Sequence, residues 1–391
     1  MIMTTKKGQQ RYLTCCNGDE SIEKKIEKAA KGAKLKVKTS KGNEFGSGMV
    51  NGKNGSNMSK RNKRLPEIKR LERDVLRCII GQDKQVKQII TAIYRSKTFK
   101  TIKSNVLIIG NSGTGKTATI EQIAKRLHIP YTIEDATKYT QEGYYGADVN
   151  DMIYNLLENA HEDLEGAQNG IIIIDEIDKK AGHGEHDVAG VEVLKSLLKI
   201  IEGTRIKLPN PSDSFAEKLI DFDTKNITII FLGAFSGLDK IRDKRLNKNS
   251  LGFCNEGSNE KSIQESRFLK QDLVKYGMPE EFVGRIDTII EMNKLTKQDL
   301  ALILKKSKLS VFRKYVEELK EKGITLTYDE KFFEIIAEKS MALDTGAREL
   351  SNTVNYIFEN ILYDILANPN KYTNCKLLLE IVEDNTKYEL S

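Results

Sequence analysis

The stretch Gly110-Asn111-Ser112-Gly113-Thr114-Gly115-Lys116-Thr117 restricts what this chain can fold into more than any other. It satisfies G-x-x-x-x-G-K-[ST], a loop whose backbone N–H groups converge on phosphate oxygens. Its flanks are the ones such a loop requires. Val106-Leu107-Ile108-Ile109 ahead of it reads as a buried strand, and Thr117 to Leu127 behind it reads as a helix, with Ile120, Ile123, Ala124 and Leu127 at helical spacing. Gly110, Gly113 and Gly115 let the chain turn tightly there. Ser112, Gly113, Thr114 and Gly115 then offer main-chain donors beside a helix N-terminus. Lys116 is expected to reach the outer phosphates of a nucleotide, and the Thr117 hydroxyl to hold Mg2+.

A second motif agrees with the first. Ile171-Ile172-Ile173-Ile174-Asp175-Glu176 is apolar throughout and ends in two acids, the pattern of a parallel strand buried on both faces. Asp175 is expected to bind the magnesium ion, and Glu176 to polarise the water that attacks the γ-phosphate. Such a run is common by itself. Downstream of a phosphate loop it implies an ATP hydrolase on an α/β sheet.

Charge divides the chain. Residues 1–65 hold 16 Lys or Arg against 5 Asp or Glu, so this segment accounts for more than the whole net charge of +7. The basic character belongs to the N-terminal tail, where few aromatics are available to stack on bases. A solvated, disordered extension over 1–64 is expected, with a thin helix at Ser21–Lys31 and a Gly/Asn/Ser/Lys-rich linker from Lys41 to Lys60. No apolar run is long enough for a membrane span, and the N-terminus lacks the apolar core of a signal peptide, so a cytoplasmic protein is expected. Cys15, Cys16, Cys78, Cys254 and Cys375 are scattered, and His183 and His186 lack a third ligand at convincing spacing; no zinc site is expected.

From Leu65 onward the pattern is that of a folded unit. Ile68, Leu71, Val75, Leu76 and Ile79 line a helix, followed by Ile79-Ile80-Gly81-Gln82 and a second helix through about Arg95. An apolar pair and a glycine before a helix make either a packed turn or a cover for an adenine ring, so Ile80 and Gly81 are candidate nucleotide contacts. A helix is expected from Val149 to about Glu158, a buried strand over Ile227–Leu232 and a charged loop from Arg242 to Lys270. Beyond Leu295 the composition turns helical. Thr296 and Asp299 resemble a cap, and Leu300, Ile303, Leu304 and Val311 fall on one face. Ile324–Tyr328 reads as a strand, Phe332 to Ala337 marks a helix, Gly346 opens a long helix through Leu366, and Lys376–Val382 reads as the last strand.

The stretches IIGQDKQVKQ, GNSGTGKT, EGYYGADV, GIIIIDEIDKK, LLKIIEGT, DTKNITIIFLGAFSGLDK, YGMPEEFVGRID and DTGARELSN occur in an order and spacing that resemble ClpX-type AAA+ protein unfoldases, from about residue 65 to the end. The resemblance implies a large α/β ATPase domain over 65–295 and a mostly helical small domain with a little strand over 296–391. It also implies assembly as a homo-oligomeric ring, hexameric in the family. Tyr144 and Tyr145, on the Gly143–Gly146 loop, would line the ring's channel and grip an unfolded polypeptide. Leu251-Gly252-Phe253 would dock on a ClpP-like peptidase. Arg285 matches the arginine finger inserted into a neighbour's ATP site, and Arg348 the sensor arginine that reaches the γ-phosphate from the small domain. Two departures stand out. Cys15 and Cys16 cannot supply the four-cysteine zinc domain that the family usually carries, and the end of the Ile227 strand (Phe231-Leu232-Gly233) supplies no polar residue to position water. The implied activity is ATP-driven protein unfolding and translocation. The alternatives are a stand-alone remodelling chaperone and, against the grain of the tyrosine loop, a nucleic-acid motor.

Overall fold

The computed structural model describes residues 2–4, 10–12, 36–38, 67–98, 104–139, 149–182, 188–209, 219–249, 267–342, 346–372, 375–382 and 385–390. The chain divides into two units, Met1–Asn62 and Lys63–Ser391. In the first, where the sequence suggests only a solvated tail, three short strands pair antiparallel: β1 (Ile2–Thr4) lies between β2 (Gln10–Tyr12) and β3 (Lys36–Lys38). The Ser21–Lys31 helix and the Lys41–Lys60 linker lie outside the described residues.

The second unit is built on a five-stranded parallel sheet. Its strands are β4 (Val106–Ile109), β5 (Tyr131–Asp135), β6 (Ile171–Asp175), β9 (Thr228–Gly233) and β10 (Thr288–Glu291), in the order β10-β4-β9-β6-β5. Every neighbouring pair is parallel. The three central strands are buried along almost their whole length, and alternation explains why all their residues must be apolar. Leu107, Ile109, Ile172, Ile174, Ile229 and Phe231 enter the core on one face. Val106, Ile108, Ile171, Ile173, Ile230 and Leu232 enter the core on the other. Each fully buried Ile or Leu contributes roughly 1.5–3 kcal/mol of transfer free energy. Helices from both sides supply the facing surfaces: α1 (67–76), α2 (Asp83–Thr98) and α3 (Lys116–Leu127) bury Leu71, Val75, Ile89, Ile93, Ile120 and Ile123 on the second face. On the first face, α4 (Asp151–Asn159), α5 (Leu164–Gln168) and α6 (Val188–Glu202) bury Met152, Ile153, Leu156, Ala167, Leu194 and Leu197.

A hairpin of β7 (Arg205–Pro209) and β8 (Leu219–Asp223) lies outside the main sheet. The sequence expectation of a loop from Arg242 is corrected: α7 runs Leu238–Asn249, and its Arg245 makes a two-pronged ion pair, at 2.9 and 3.0 Å, with the fully buried Asp272 of α8 (Lys270–Tyr276). A polar composition without apolar periodicity hid this helix, because a buried Arg–Asp pair replaces the usual greasy face. The short α9 (Glu280–Gly284) follows and leads into β10.

The C-terminal part has its own buried cluster. α10 (Lys297–Lys306) opens on a capping box in which the Thr296 hydroxyl accepts from Asp299 N while the Asp299 carboxylate accepts from Thr296 N. The single face suggested for Leu300 through Val311 is in fact two helices. Ser307 and Ser310 break it, and the Ser310 hydroxyl, donating to Leu304 O and accepting from Arg313 N, starts α11 (Val311–Glu321). β11 (Thr325–Tyr328), α12 (Glu330–Ala342) and α13 (Ala347–Ala367) follow. Phe312 is the hub of this core, with ring centroids of Tyr328, Phe332, Phe333 and Phe358 at 5.0–5.9 Å. β12 (Lys376–Val382) pairs parallel with β11, but it is not the last strand: β13 (Asn385–Leu390) returns antiparallel beside it. No helix among the described residues is long and apolar enough to cross a membrane.

Candidate active site

The strand order dictates where a nucleotide would sit. β4 and β6 are separated by β9 alone, so the residues that follow β4 and those that end β6 face each other about 10 Å apart, across the C-terminal end of β9. The phosphate loop spans that gap. The Thr117 hydroxyl, in the first turn of α3, donates to Asp175 Oδ2 at 3.1 Å. The two expected magnesium ligands therefore meet. They are hard oxygen donors of the kind Mg2+ takes. The first turn of α3 contains no acid, which leaves its N–H groups and partial positive charge for an anion.

Gly113 and Gly115 occupy left-handed backbone (φ 74° and 89°), so the loop needs glycine at these positions. The Lys116 ammonium is folded against the loop, donating to the carbonyls of Gly110 and Asn111. Burial lowers its pKa below the usual lysine value, and the Arg348 cation pushes in the same direction while Asp175, Asp178 and Glu176 oppose it. These charges therefore share one electrostatic environment. Glu176 itself sits in left-handed backbone (φ 57°), an uncommon conformation for a non-glycine residue and the kind of local strain that clusters at working sites. Its backbone N–H is held by Asp175 Oδ1 at 2.8 Å.

A cavity of about 200 Å3 adjoins the loop, lined by Ile79, Ile80, Gly113, Gly115, Leu304 and Leu350 among others. It is mostly apolar, as an adenine ring asks. Gly81, next in the chain after Ile80, has φ 79°, and a side chain there would press on Asp299 and Leu295. The C-terminal part closes the cavity from two sides. Near the turn at Ile79–Gly81, the Ser307 hydroxyl donates to Cys78 O and Lys308 N to Arg77 O. At the phosphate end, Ala347 N donates to Gly113 O at 3.2 Å. A Cβ on Gly346 would fall 2.9 Å from Ser112 O. Arg348 thus stands one residue from a contact with the phosphate loop, at the exposed start of α13.

Arg285 is placed elsewhere. Its guanidinium pairs with Glu202 of α6, both side chains about half exposed, and Asn105 donates to its carbonyl. Tyr144, Tyr145, Leu251, Gly252 and Phe253 lie outside the described residues, as do His183 and His186.

Several contributors were not read from the sequence. Gln82 is fully buried and fastens three segments: its amide donates to Thr114 O and Asn293 O, and its carbonyl accepts from Asn293 N. Asp178, two residues beyond Glu176, is buried and accepts from Phe235 N at 3.1 Å. It holds the turn that follows β9, and the carbonyl of Gly233, the last residue of β9, accepts from Gly110 N at the start of the phosphate loop. The end of β9 thus carries no polar side chain of its own, and the carboxylate that braces the turn beyond it comes from the turn that follows β6. Gly233 must be small because a Cβ there would strike the Phe235 ring at 2.5 Å and Asp178 at 2.8 Å.

Comparison with known proteins agrees with this geometry. A family model described as AAA domain (Cdc48 subfamily) matches residues 101–289, and one described as the C-terminal, D2-small domain of ClpB protein matches 295–376. The ATP-dependent Clp protease ATP-binding subunit ClpX of Borrelia duttonii is 35% identical over 323 residues, covering 77% of this chain and 75% of the relative. This chain belongs to the ClpX family of AAA+ ATPases. ClpX of Treponema denticola is 33% identical over 327 residues, with 77% of each chain covered, and ClpX of Bacteroides thetaiotaomicron is 32% identical over 329 residues, covering 79% and 80%. The chain is accordingly an ATP hydrolase with an AAA+ α/β domain followed by a helical small domain with short strands.

Proposed function

We propose that this chain is an ATP-driven protein unfoldase and translocase of ClpX type, working as a homo-oligomeric, hexameric ring and passing polypeptides to a ClpP-like peptidase. The observation that carries the reading is the seating of α13 on the phosphate loop through Gly346 and Ala347. A nucleotide held by that loop bears directly on the small domain, so turnover can rotate the small domain (296–391) against the large one (65–295), with 1–64 as a basic extension. The separate buried cores of the two parts support such a hinge.

In this reading Thr117 and Asp175 hold Mg2+, which when bound neutralises charge on the β- and γ-phosphate oxygens. Lys116 draws the outer phosphates, Glu176 orients and deprotonates the attacking water, and Arg348 senses the γ-phosphate. Arg285 acts in trans, exchanging its exposed Glu202 partner for a neighbour's nucleotide; an exposed pair of this kind contributes at most about 1 kcal/mol, so little is lost in the exchange. Tyr144 and Tyr145 grip the substrate by sequence-tolerant apolar contact, and Leu251-Gly252-Phe253 docks the ring on the peptidase. The protein acts in the cytoplasm, and nucleic acid is not its substrate.

The test is the ATPase rate with and without an unfolded protein, across a range of enzyme concentrations. Activity per subunit should rise with concentration. Stimulation by unfolded protein should vanish in Tyr144→Ala and Tyr145→Ala while basal hydrolysis persists. Equal stimulation of the variants, or stimulation by DNA and not by protein, would overturn the proposal.

A further inference from the structure

We propose that Lys180 is a positioning residue that couples the hydrolytic turn to the root of the tyrosine loop. The inference rests on the translocase reading of Tyr144 and Tyr145. Glu176 is followed at once by a tight turn, Ile177–Lys180, whose Ile177 and Asp178 are buried. Movement at Glu176 therefore has little room to dissipate inside this turn. From its end the Lys180 ammonium crosses to Tyr139 and donates to the main-chain carbonyl at 2.8 Å. Tyr139 lies only four residues before Gly143, on the stem that leads to the tyrosines.

The far end of this link is unusually firm. Tyr139 is 2% exposed, and its phenol donates to Glu134 Oε2 at 2.5 Å. Burial, followed by that carboxylate, raises the phenol's pKa well above its usual range, so it remains a donor throughout physiological pH. Glu134, on β5, is itself buried and accepts two further bonds, from Thr132 Oγ1 at 2.5 Å and Asn155 Nδ2 at 3.1 Å. Asn155 belongs to α4, the helix that follows the tyrosine stretch. One carboxylate thus ties together the strand before the loop, the residue at its start and the helix after it. The intervening turn, Ala136–Lys138, is capped by Asp135, which accepts from Thr137 N and Oγ1. Asp135 is held below the usual carboxylate range first by the Thr137 hydroxyl, with Lys180 among the cations that reinforce it.

The arrangement joins a strained, charged turn at the ATP site to a rigid polar bracket at the base of the substrate loop. Lys180 is half-buried, and an apolar side chain there could serve packing alone. What the ammonium adds is a directional tie between Ile177–Lys180 and Tyr139. Conversely, pull on the substrate loop is carried back to Glu176, which is how a bound polypeptide would accelerate hydrolysis.

The experiment compares wild type, Lys180→Met and Lys180→Arg in full-length protein, reading basal ATPase and ATPase at increasing concentrations of unfolded casein. Circular dichroism and oligomeric state are measured alongside. Lys180→Met keeps length and packing but removes the donor. It should leave basal kcat and the KM for ATP within about two-fold, and lower maximal stimulation about ten-fold, as expected for loss of a charge-assisted bond. The casein concentration giving half-maximal stimulation should hold, because the tyrosines still grip. Lys180→Arg should restore most of the stimulation. Stimulation of Lys180→Met equal to wild type, or a parallel fall in its basal and stimulated rates that Lys180→Arg does not reverse, would overturn the coupling role. If wild type itself is not stimulated by casein, it is the translocase reading that fails.

Discussion

Gly346 is the position at which the nucleotide site and the small domain can be separated by one methyl group. Its backbone (φ 60°, ψ −142°) lies where L side chains are rarely found, a strain of about 1–3 kcal/mol for alanine. The added Cβ would also sit 2.9 Å from Ser112 O and 3.2 Å from Gly113 C and O, all main-chain atoms that cannot swing aside. Relief requires α13 to retreat from the phosphate loop, which breaks the Ala347 N–Gly113 O bond and withdraws Arg348. If the strain is paid in the nucleotide-bound state, Gly346→Ala should weaken ATP binding by roughly five- to 150-fold, the equivalent of about 1–3 kcal/mol. Fluorescent-nucleotide titration measures this directly, and thermal melting in the absence of nucleotide reports whether the fold survives. The small-domain core does not include Gly346, so its melting transition should persist. Nucleotide affinity unchanged within two-fold in a folded Gly346→Ala protein would refute the argument that α13 and the phosphate loop are mechanically joined.

Further outcomes follow from the same geometry. Glu176→Gln should retain ATP binding and lower kcat by at least about 100-fold, the low end of general-base contributions, as single-turnover kinetics would show. Asp178→Ala leaves the buried Phe235 N–H without its acceptor and should cost about 1–3 kcal/mol in urea unfolding, with kcat falling more than the KM for ATP rises. Phe312→Ala removes the hub of the small-domain core and should destabilise that part by about 3–5 kcal/mol in the same assay. Burial lowers Lys97 to about 8 from its usual 10.5, so between these values the unfolded chain holds the proton more tightly than the folded one. Stability from this group therefore rises as pH goes from 8 towards 10.5, and Lys97→Met should abolish that rise when urea midpoints are compared at pH 8 and pH 10.

The parts legible in the sequence were those whose chemistry is local. β4, the phosphate loop, α3 and β6 are contiguous patterns, and the Thr117–Asp175 meeting follows once their strands are parallel and two positions apart. The capping box at Thr296 was equally local. What escaped depends on partners far along the chain. Gln82 looks like any polar residue after a turn, yet its role is fixed by Thr114 and by Asn293, 211 residues away. β10 is only four residues long and half-buried, too brief for periodicity to show. α7 carries almost no apolar signal because Arg245 and Asp272 hold it. The Lys180–Tyr139–Glu134 bracket joins residues whose types alone suggest a solvated surface.

The central claim is that ATP hydrolysis here pulls proteins apart. Its most direct measurement follows the native fluorescence of a stably folded fluorescent protein carrying an unstructured tail, mixed with this chain and ATP in the absence of any peptidase. Fluorescence should fall with wild type, and should hold with Glu176→Gln and with the Tyr144→Ala, Tyr145→Ala double variant. Steady fluorescence beside wild type that hydrolyses ATP at its full rate and binds the tail would contradict it.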